Sequence, residues 1–335
     1  MFVLNKKWGA IVAAMALGIS SAATAEVNEV RFARNLGLGY LQIYIMQEKG
    51  LVEKQAEKLG LKGLKASYRP IGNPGAINDA LLSGSVDYGA AGVTPFLTLW
   101  DKTRSNAQVK AVAALNSQPA FLNTINPNIR SIRDFTDKDR IALPTVKLSL
   151  QAILLQMAAE QTWGPGQQNK LDGLTVSLAH PDGTAVLLTG RTEVTAHFTS
   201  PPFQYQQLQD AKVHKVLSSY DITNGPASFS AIWTTSKFRS ENPKAYQAVL
   251  AAVEEATAFI GRNRKEAAEI FIKLDNSKLP QDFIESILAD KDIVFTTSPQ
   301  NVEKFSDFMH RIGSIQVKPT WKDLFFPESH DKPGS

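Results

Sequence analysis

The sequence predicts an α/β protein of two matching lobes, and three observations carry that expectation. Short β-branched and aromatic runs alternate with amphipathic stretches from Val30 onward. The order strand, helix, strand, helix, strand, helix is then used a second time. At the centre of the repeat, "ALLSGSVDYGAAGVTP" (Ala80–Pro95) aligns without a gap on "VLLTGRTEVTAHFTSP" (Val186–Pro201), at a constant offset of 106 residues from Leu81 to Leu187. Alternating strands and helices argue for a mostly parallel sheet with right-handed crossovers. Two such lobes on one chain leave a cleft between them.

In the first lobe "VRFAR" reads as a strand, and "LGYLQIYIMQEKGLVEKQAEKLG" as a long amphipathic helix interrupted at Gly50. "LKASYRP" is the next strand. "NPGAINDALLSG" is a helix with Asn73 as N-cap, Pro74 at its first position and Gly84 as its stop. "VDYGAA" is a strand, "TPFLTLWDK" a helix capped by Thr94, and "VKAVAAL" a strand. The second round runs "RIALP", "KLSLQAILLQMAAEQTW", "LTVSLAH", "DGTAVLLTG", "EVTAHF" and "SPPFQYQQLQD", the last opened by Ser200 and proline. "ASFSAIWTTSKF" is a further strand. Four helices follow, at 243–261, 264–273, 281–289 and 300–311, and the polar tail "FPESHDKPGS" is expected to fray.

Lys6 and Lys7, an apolar run from Trp8 to Ile19 and Ala23-Thr24-Ala25 form the three parts of an export signal. The run is shorter than the ~20 residues that span a bilayer. Residues 1–25 are therefore expected to be a signal peptide cleaved after Ala25. The chain has no cysteine, so disulfides, thiol catalysis, zinc–thiolate sites and an N-terminal lipid on cysteine are excluded. The net charge of +4 falls to +2 without Lys6 and Lys7, and it is evenly spread, which gives no nucleic-acid footprint.

Motifs for hydrolysis, zinc proteolysis and nucleotide binding are absent. Gly37-x-Gly39 opens like a dinucleotide fingerprint, but Gln42 stands where its third glycine belongs, so no cofactor is expected. None of the five histidines forms a helical metal pair, and no metal is expected. His180 and His197 both lie at strand ends and can meet in space. In an open parallel sheet ligands bind beyond the strand carboxyl ends, where helix N-termini offer free N–H groups to anions. The junctions that qualify supply the candidate ligand residues: Asn35, Leu36, Gly37, Leu38 and Tyr40; Asn73 and Pro74; Gly92, Val93 and Thr94; Thr145 and Lys147; His180; and His197, Phe198 and Thr199. Asn73 and Thr94 also have a plainer role as caps, and Lys147 as a solvated charge. The turns at 91–94 and 197–200 are expected to face the ligand from opposite sides.

"NPGAINDALLSGSVDYGAAGVTP", "IRSIRDFTDKDRIALP" and "AVLLTGRTEVTAHFTSPP" together resemble the solute-binding proteins of ABC importers, in the nitrate, taurine and alkanesulfonate (NMT1-like) branch. Glu193 stands where aspartate is usual. The resemblance covers about Val30 to Gln206. It implies a type II periplasmic-binding-protein fold. Residues 26–115 begin lobe 1, 116–228 hold the hinge segments (116–123 and 220–228) and lobe 2, and 229–335 return to lobe 1. It also implies a monomeric periplasmic protein that closes on a small organic anion, delivers it to a permease with its ATPase, and is no enzyme. A ligand sensor coupled to a membrane receptor and an enzyme on the same fold are the alternatives. Ala90–Val93, Thr145–Leu148 and Phe198-Thr199 depart from the polar residues usual in sulfonate binders. They point to an anion with a hydrocarbon or aromatic body, held by helix N-termini and Lys147 and flanked by Tyr40 and Phe198.

Overall fold

The computed structural model describes residues 26–335, so the expected signal segment lies outside the described residues. The chain begins with β1 (Glu29–Arg34), α1 (Leu41–Lys49), α2 (Leu51–Lys58), β2 (Lys65–Pro70), α3 (Pro74–Leu82), β3 (Tyr88–Gly92), α4 (Val93–Thr103) and β4 (Val109–Ser117). It then crosses into β5 (Phe121–Thr124), β6 (Arg140–Leu143), α5 (Leu150–Trp163), β7 (Thr175–Ser177), α6 (His180–Thr189), β8 (Val194–Thr199), α7 (Phe203–Gln207), β9 (His214–Ser218) and α8 (Ser219–Thr223). It returns through β10 (Ser228–Thr235), α9 (Ser236–Glu241), α10 (Pro243–Arg262), α11 (Arg264–Asp275), α12 (Gln281–Leu288), β11 (Val294–Phe295), α13 (Val302–Arg311) and α14 (Trp321–Leu324).

Two sheets result, ordered β11-β4-β10-β3-β1-β2 and β7-β6-β8-β5-β9. They share one design. β1 pairs in parallel with β2 and β3, and β6 does the same with β7 and β8. Each sheet then takes one antiparallel strand from a crossing connection: β10 between β3 and β4, β5 between β8 and β9. The sequence repeat survives in space at its own offset. β3 begins at Tyr88 and β8 at Val194, and the helices before them stop at Gly84 (φ +72) and Gly190 (φ +59). Both glycines hold the left-handed conformation that ends a helix without a Cβ penalty.

The larger sheet is covered on one face by α1, α2, α10, α11 and α12, around Phe32, Tyr44, Tyr88 and Phe271. The core on its other face continues from Phe96 and Trp233 through Phe305 of α13 to Leu150, Ile153 and Phe198 of the second lobe. Apolar packing therefore crosses between the lobes. Among the described residues no helix is long and apolar enough to cross a membrane.

Three expectations fail, each for a tertiary reason, and two strands are not foreseen. Thr94 does not cap α4. Gly92 is the N-cap residue, and the Thr94 hydroxyl donates instead to Leu148 O of the other lobe (3.0 Å). Ser200 makes no side-chain cap for α7, which begins after the cis Pro201-Pro202 bond. The tail does not fray. Ser335 O accepts from Val302 N (2.7 Å), Lys332 Nζ reaches Glu254 (2.7 Å), and Ser329 Oγ donates to Val112 O (2.8 Å). Strands β5 and β9 carry too little alternation to be read in advance.

Gly89 lies in the centre of β3, where a Cβ would sit 2.7 Å from Trp233 Nε1 and 3.0 Å from Ile77 Cγ2. Gly89→Ala is expected to cost about 1–3 kcal/mol by overpacking. The urea midpoint should drop with an unchanged m-value; a wild-type midpoint would contradict this packing.

Candidate functional site

The parallel strands of both sheets end at a common seam. Their pairing across it is crossed. The β1–α1 turn meets the β8–α7 turn: Leu38 N donates to Pro201 O (3.0 Å), and a Cβ on Gly37 would sit 2.8 Å from the same oxygen. The β3–α4 turn meets the start of α5: Thr94 bonds Leu148 O, and a Cβ on Gly92 would lie 3.0 Å from Leu150 Cβ. The β2–α3 and β7–α6 turns face each other, with a Gly72 Cβ only 2.9 Å from Ala179 Cβ. Beside them Thr145 Oγ1 donates to Asn73 Oδ1 (3.2 Å). Near the crossing segments Tyr205 OH donates to Asp290 Oδ2 (2.8 Å). At three of these contacts glycine lets the opposing lobe approach closely, so the two lobes are in direct contact along the seam. The turns at 91–94 and 197–200 do not face one another; each faces a different junction of the opposite lobe.

The helix starts differ in how they are satisfied. Asn73 Oδ1 accepts from Gly75 N (2.8 Å) and Ala76 N (3.2 Å), and Ser149 caps α5 through Ala152 N (3.3 Å). α4 and α6 open with no side-chain cap, which leaves first-turn N–H groups and the positive end of each dipole at the seam. At the end of β1, the Arg34 guanidinium stacks 3.6 Å over the Tyr44 ring and donates to its hydroxyl (2.7 Å). That hydroxyl in turn donates to Asp275. Asn35 turns the chain beyond Arg34, its Oδ1 accepting from Leu36 N (2.7 Å).

Behind the second lobe's turns lies a buried polar network. Gln207 Nε2 donates to Thr184 Oγ1 (2.9 Å) and to His197 Nδ1 (2.7 Å). The His197 proton therefore sits on Nε2, which faces His180 Nδ1 at 3.5 Å. Thr199 Oγ1 lies 2.9 Å from His180 Nδ1, and the Gln151 side-chain Nε2 lies 3.3 Å from His180 Nε2. Asn123 of β5 donates to Gln207 Oε1 (3.0 Å) and to Gln204 O (3.0 Å). Gln204 grips the crossing segment, accepting from Phe121 N and donating to Pro119 O (both 3.0 Å). Burial pushes the His180 imidazole down to about 3, and burial with the neighbouring His180 pushes His197 well below its usual value.

Of the candidates from sequence, Gly37, Leu38, Asn73, Gly92, Thr94 and Thr145 make the contacts across the seam described above. Pro74 is the first residue of α3, Val93 is buried at the start of α4, and Leu36 is half-buried beside Gly72. His180, His197 and Thr199 belong to the network inside lobe 2. Tyr40 and Phe198 are buried in the cores of their lobes, and burial raises the Tyr40 hydroxyl well above its usual range. Lys147 is exposed, with φ +60. Sequence reasoning missed Gln151, Gln204 and Gln207. A lone glutamine carries no motif, and only the fold shows which ones are enclosed.

A family model described as "NMT1-like family" matches residues 23–274. Among solved structures, the chain is similar to the alkanesulfonate-binding protein SsuA from Xanthomonas axonopodis pv. citri bound to MOPS (16% identity, 90% of this chain and 98% of that one, TM-score 0.68). It is similar to the periplasmic aliphatic sulphonate-binding protein SsuA from Escherichia coli (18%, 92% and 94%, TM-score 0.66). It is also similar to the periplasmic nitrate-binding protein NrtA from Synechocystis PCC 6803 (17%, 91% and 84%, TM-score 0.66). At these identities the likeness is one of fold. No curated protein sequence matches.

The two imidazoles give a pH signature. The unfolded chain takes up their protons near pH 6.5, while in the native state burial holds His180 down to about 3 and His197 well below its usual value. Stability is full above about pH 6.5 and falls as pH drops below it, by about 1.4 kcal/mol per pH unit for each histidine. Urea unfolding at pH 7, 6 and 5 should show this slope, and His180→Gln should halve it. A flat wild-type profile would contradict the neutral buried pair.

Proposed function

The chain belongs to the NMT1-like family, and from that premise we propose that it is the solute-binding component of an ABC importer. It captures a small organic anion between its lobes and presents the closed form to a permease with its ATPase. The observation that carries this reading is the convergence of strand ends and helix starts from both lobes on one seam. Uncapped α4 and α6 bring two positive dipole ends into it, from opposite lobes. An anion placed at such a start bonds its first-turn N–H groups and meets its positive end. Because it contacts both lobes only when they are closed, it shifts the equilibrium to the closed state by its differential affinity.

The contact set follows from the seam. We assign ligand contact to Asn35–Leu38 and Gly92–Thr94 from lobe 1, and to Thr145 and the starts of α5 and α6 from lobe 2. Phe203 packs on Gly37 and stacks on His180 (5.7 Å between centroids), and Leu150 packs on Gly92. These two supply the apolar surface that the sequence assigned to Tyr40 and Phe198. The hinge segments are the crossings between β4 and β5 and between α8 and β10. Export as a monomeric periplasmic protein, with a signal peptide cleaved after Ala25, completes the proposal.

A thermal-shift panel of alkanesulfonates, nitrate, taurine and aromatic carboxylates tests it. At 100 times its Kd, a ligand of the native state adds about 2.7 kcal/mol, which should raise Tm by several degrees. Gly72→Val places a branched side chain against Ala179, so it should hold the lobes apart and reduce the shift while melting near wild type. A panel with no shift, together with no bound small molecule in native mass spectrometry, would overturn the reading.

A further inference from the structure

Lys147 is an exposed residue in the left-handed region (φ +60), in the turn between β6 and α5. Among the described residues five that are not glycine have a positive φ, and three of those are asparagines, which tolerate it. Lysine gains nothing there, and its Cβ crowds the following carbonyl oxygen. Such strain persists only where the surroundings impose it. Much of the restraint comes from the other lobe, because segment 145–150 meets lobe 1 at four points. Thr145 Oγ1 donates to Asn73 Oδ1 (3.2 Å), and Leu148 Cδ2 lies 3.4 Å from where a Gly75 Cβ would be. Leu148 O accepts from Thr94 Oγ1 (3.0 Å), and Leu150 Cβ lies 3.0 Å from where a Gly92 Cβ would be. The two interlobe hydrogen bonds thus fall on either side of Lys147. Lobe 2 itself pins the flanks: Val146 N donates to Ser177 Oγ (3.0 Å) and Ser149 N to Thr145 O (3.0 Å). Its tightest bond across Lys147, from Leu148 N to Thr145 O, is 3.4 Å long, beyond the usual range. β6 lies beside the edge strand β7, away from β5 and β9 and the crossings they adjoin. Contacts on that side separate most when the lobes part about the crossings.

We propose that the 145–150 turn is a strained clasp: closure of the lobes drives Lys147 into the left-handed region and so brakes its own completion. When the lobes are apart, both bonds to lobe 1 are gone and Lys147 relaxes to an ordinary backbone conformation. Closure restores the bonds and the strain together, so every ligand binds more weakly than its contacts alone would allow. The clasp rests on the cleft reading above and deepens it, by naming the residue that sets how readily the lobes close. It requires nothing of the ligand's charge. A glycine at 147 would release the brake, because it has no Cβ to crowd.

The test uses the ligand-free protein with spin labels at Lys62→Cys and Lys170→Cys, and reads the interlobe distances by double electron–electron resonance. Lys147→Gly should raise the ratio of short to long distances about fivefold, the scale of one left-handed residue. Lys147→Ala removes the charge and keeps the Cβ, so it should not reproduce that gain. In a Thr94→Val background the gain from glycine should shrink, because one side of the clamp is missing. Calorimetry with methanesulfonate and benzoate should show the same tightening by Lys147→Gly for whichever probe binds. If neither probe binds, the anion reading fails and the label distances still decide the clasp. An unchanged ratio in Lys147→Gly shows the turn equally strained in both forms and overturns the proposal. An equal gain in Lys147→Ala assigns the effect to charge and overturns it as well. A ligand-free wild type found only at the short distance has no brake to release, which also overturns it.

Discussion

The carboxyl ends of two parallel sheets are made to face each other across one seam, and the rest of the molecule follows from that. The turn after β1 meets the turn after β8, the turn after β3 meets the start of α5, and the two middle turns meet each other. First meets third, third meets first, second meets second. A pseudo-two-fold axis through the seam produces this crossed order. The antiparallel strands β5 and β10 occupy the same place in each sheet and tie each lobe to the chain of the other. Gln204 grips one crossing through Phe121 N and Pro119 O, so the hinge is anchored in the second lobe's polar network.

That geometry sets the electrostatics. Two uncapped helix starts, α4 and α6, lie at the seam on opposite lobes, each at its own junction, and α6 carries Asp182 in its first turn. Neither positive end is met by a capping side chain. A bridging anion is the natural complement. Behind the turns, His180 and His197 are kept neutral by burial, inside a polar network that runs from Gln207 through both rings to Gln151.

Much of this was legible in the residues. The repeat around Gly84 and Gly190 gave the two lobes and held its offset in space, because a left-handed stop and a following strand are local features. Asn73 was read correctly as a cap for the same reason. Thr94 was not, because its hydroxyl answers to a carbonyl of the other lobe, and no local pattern records that. The tail looked polar and loose, yet Ser329, Lys332 and Ser335 each find a partner on a distant element. The departures at Thr145, Phe198 and Thr199 could not show that Phe198 is fully buried while Phe203 and Leu150 reach the seam.

Closure by a bridging anion is the central claim, and the absence of cysteine allows two labels to be placed cleanly. Lys62→Cys and Lys170→Cys put spin labels on exposed positions of opposite lobes. The distance between them, measured by double electron–electron resonance, should shorten and narrow when a bound anion from the panel saturates the protein. A distribution that does not change at saturation would contradict the account.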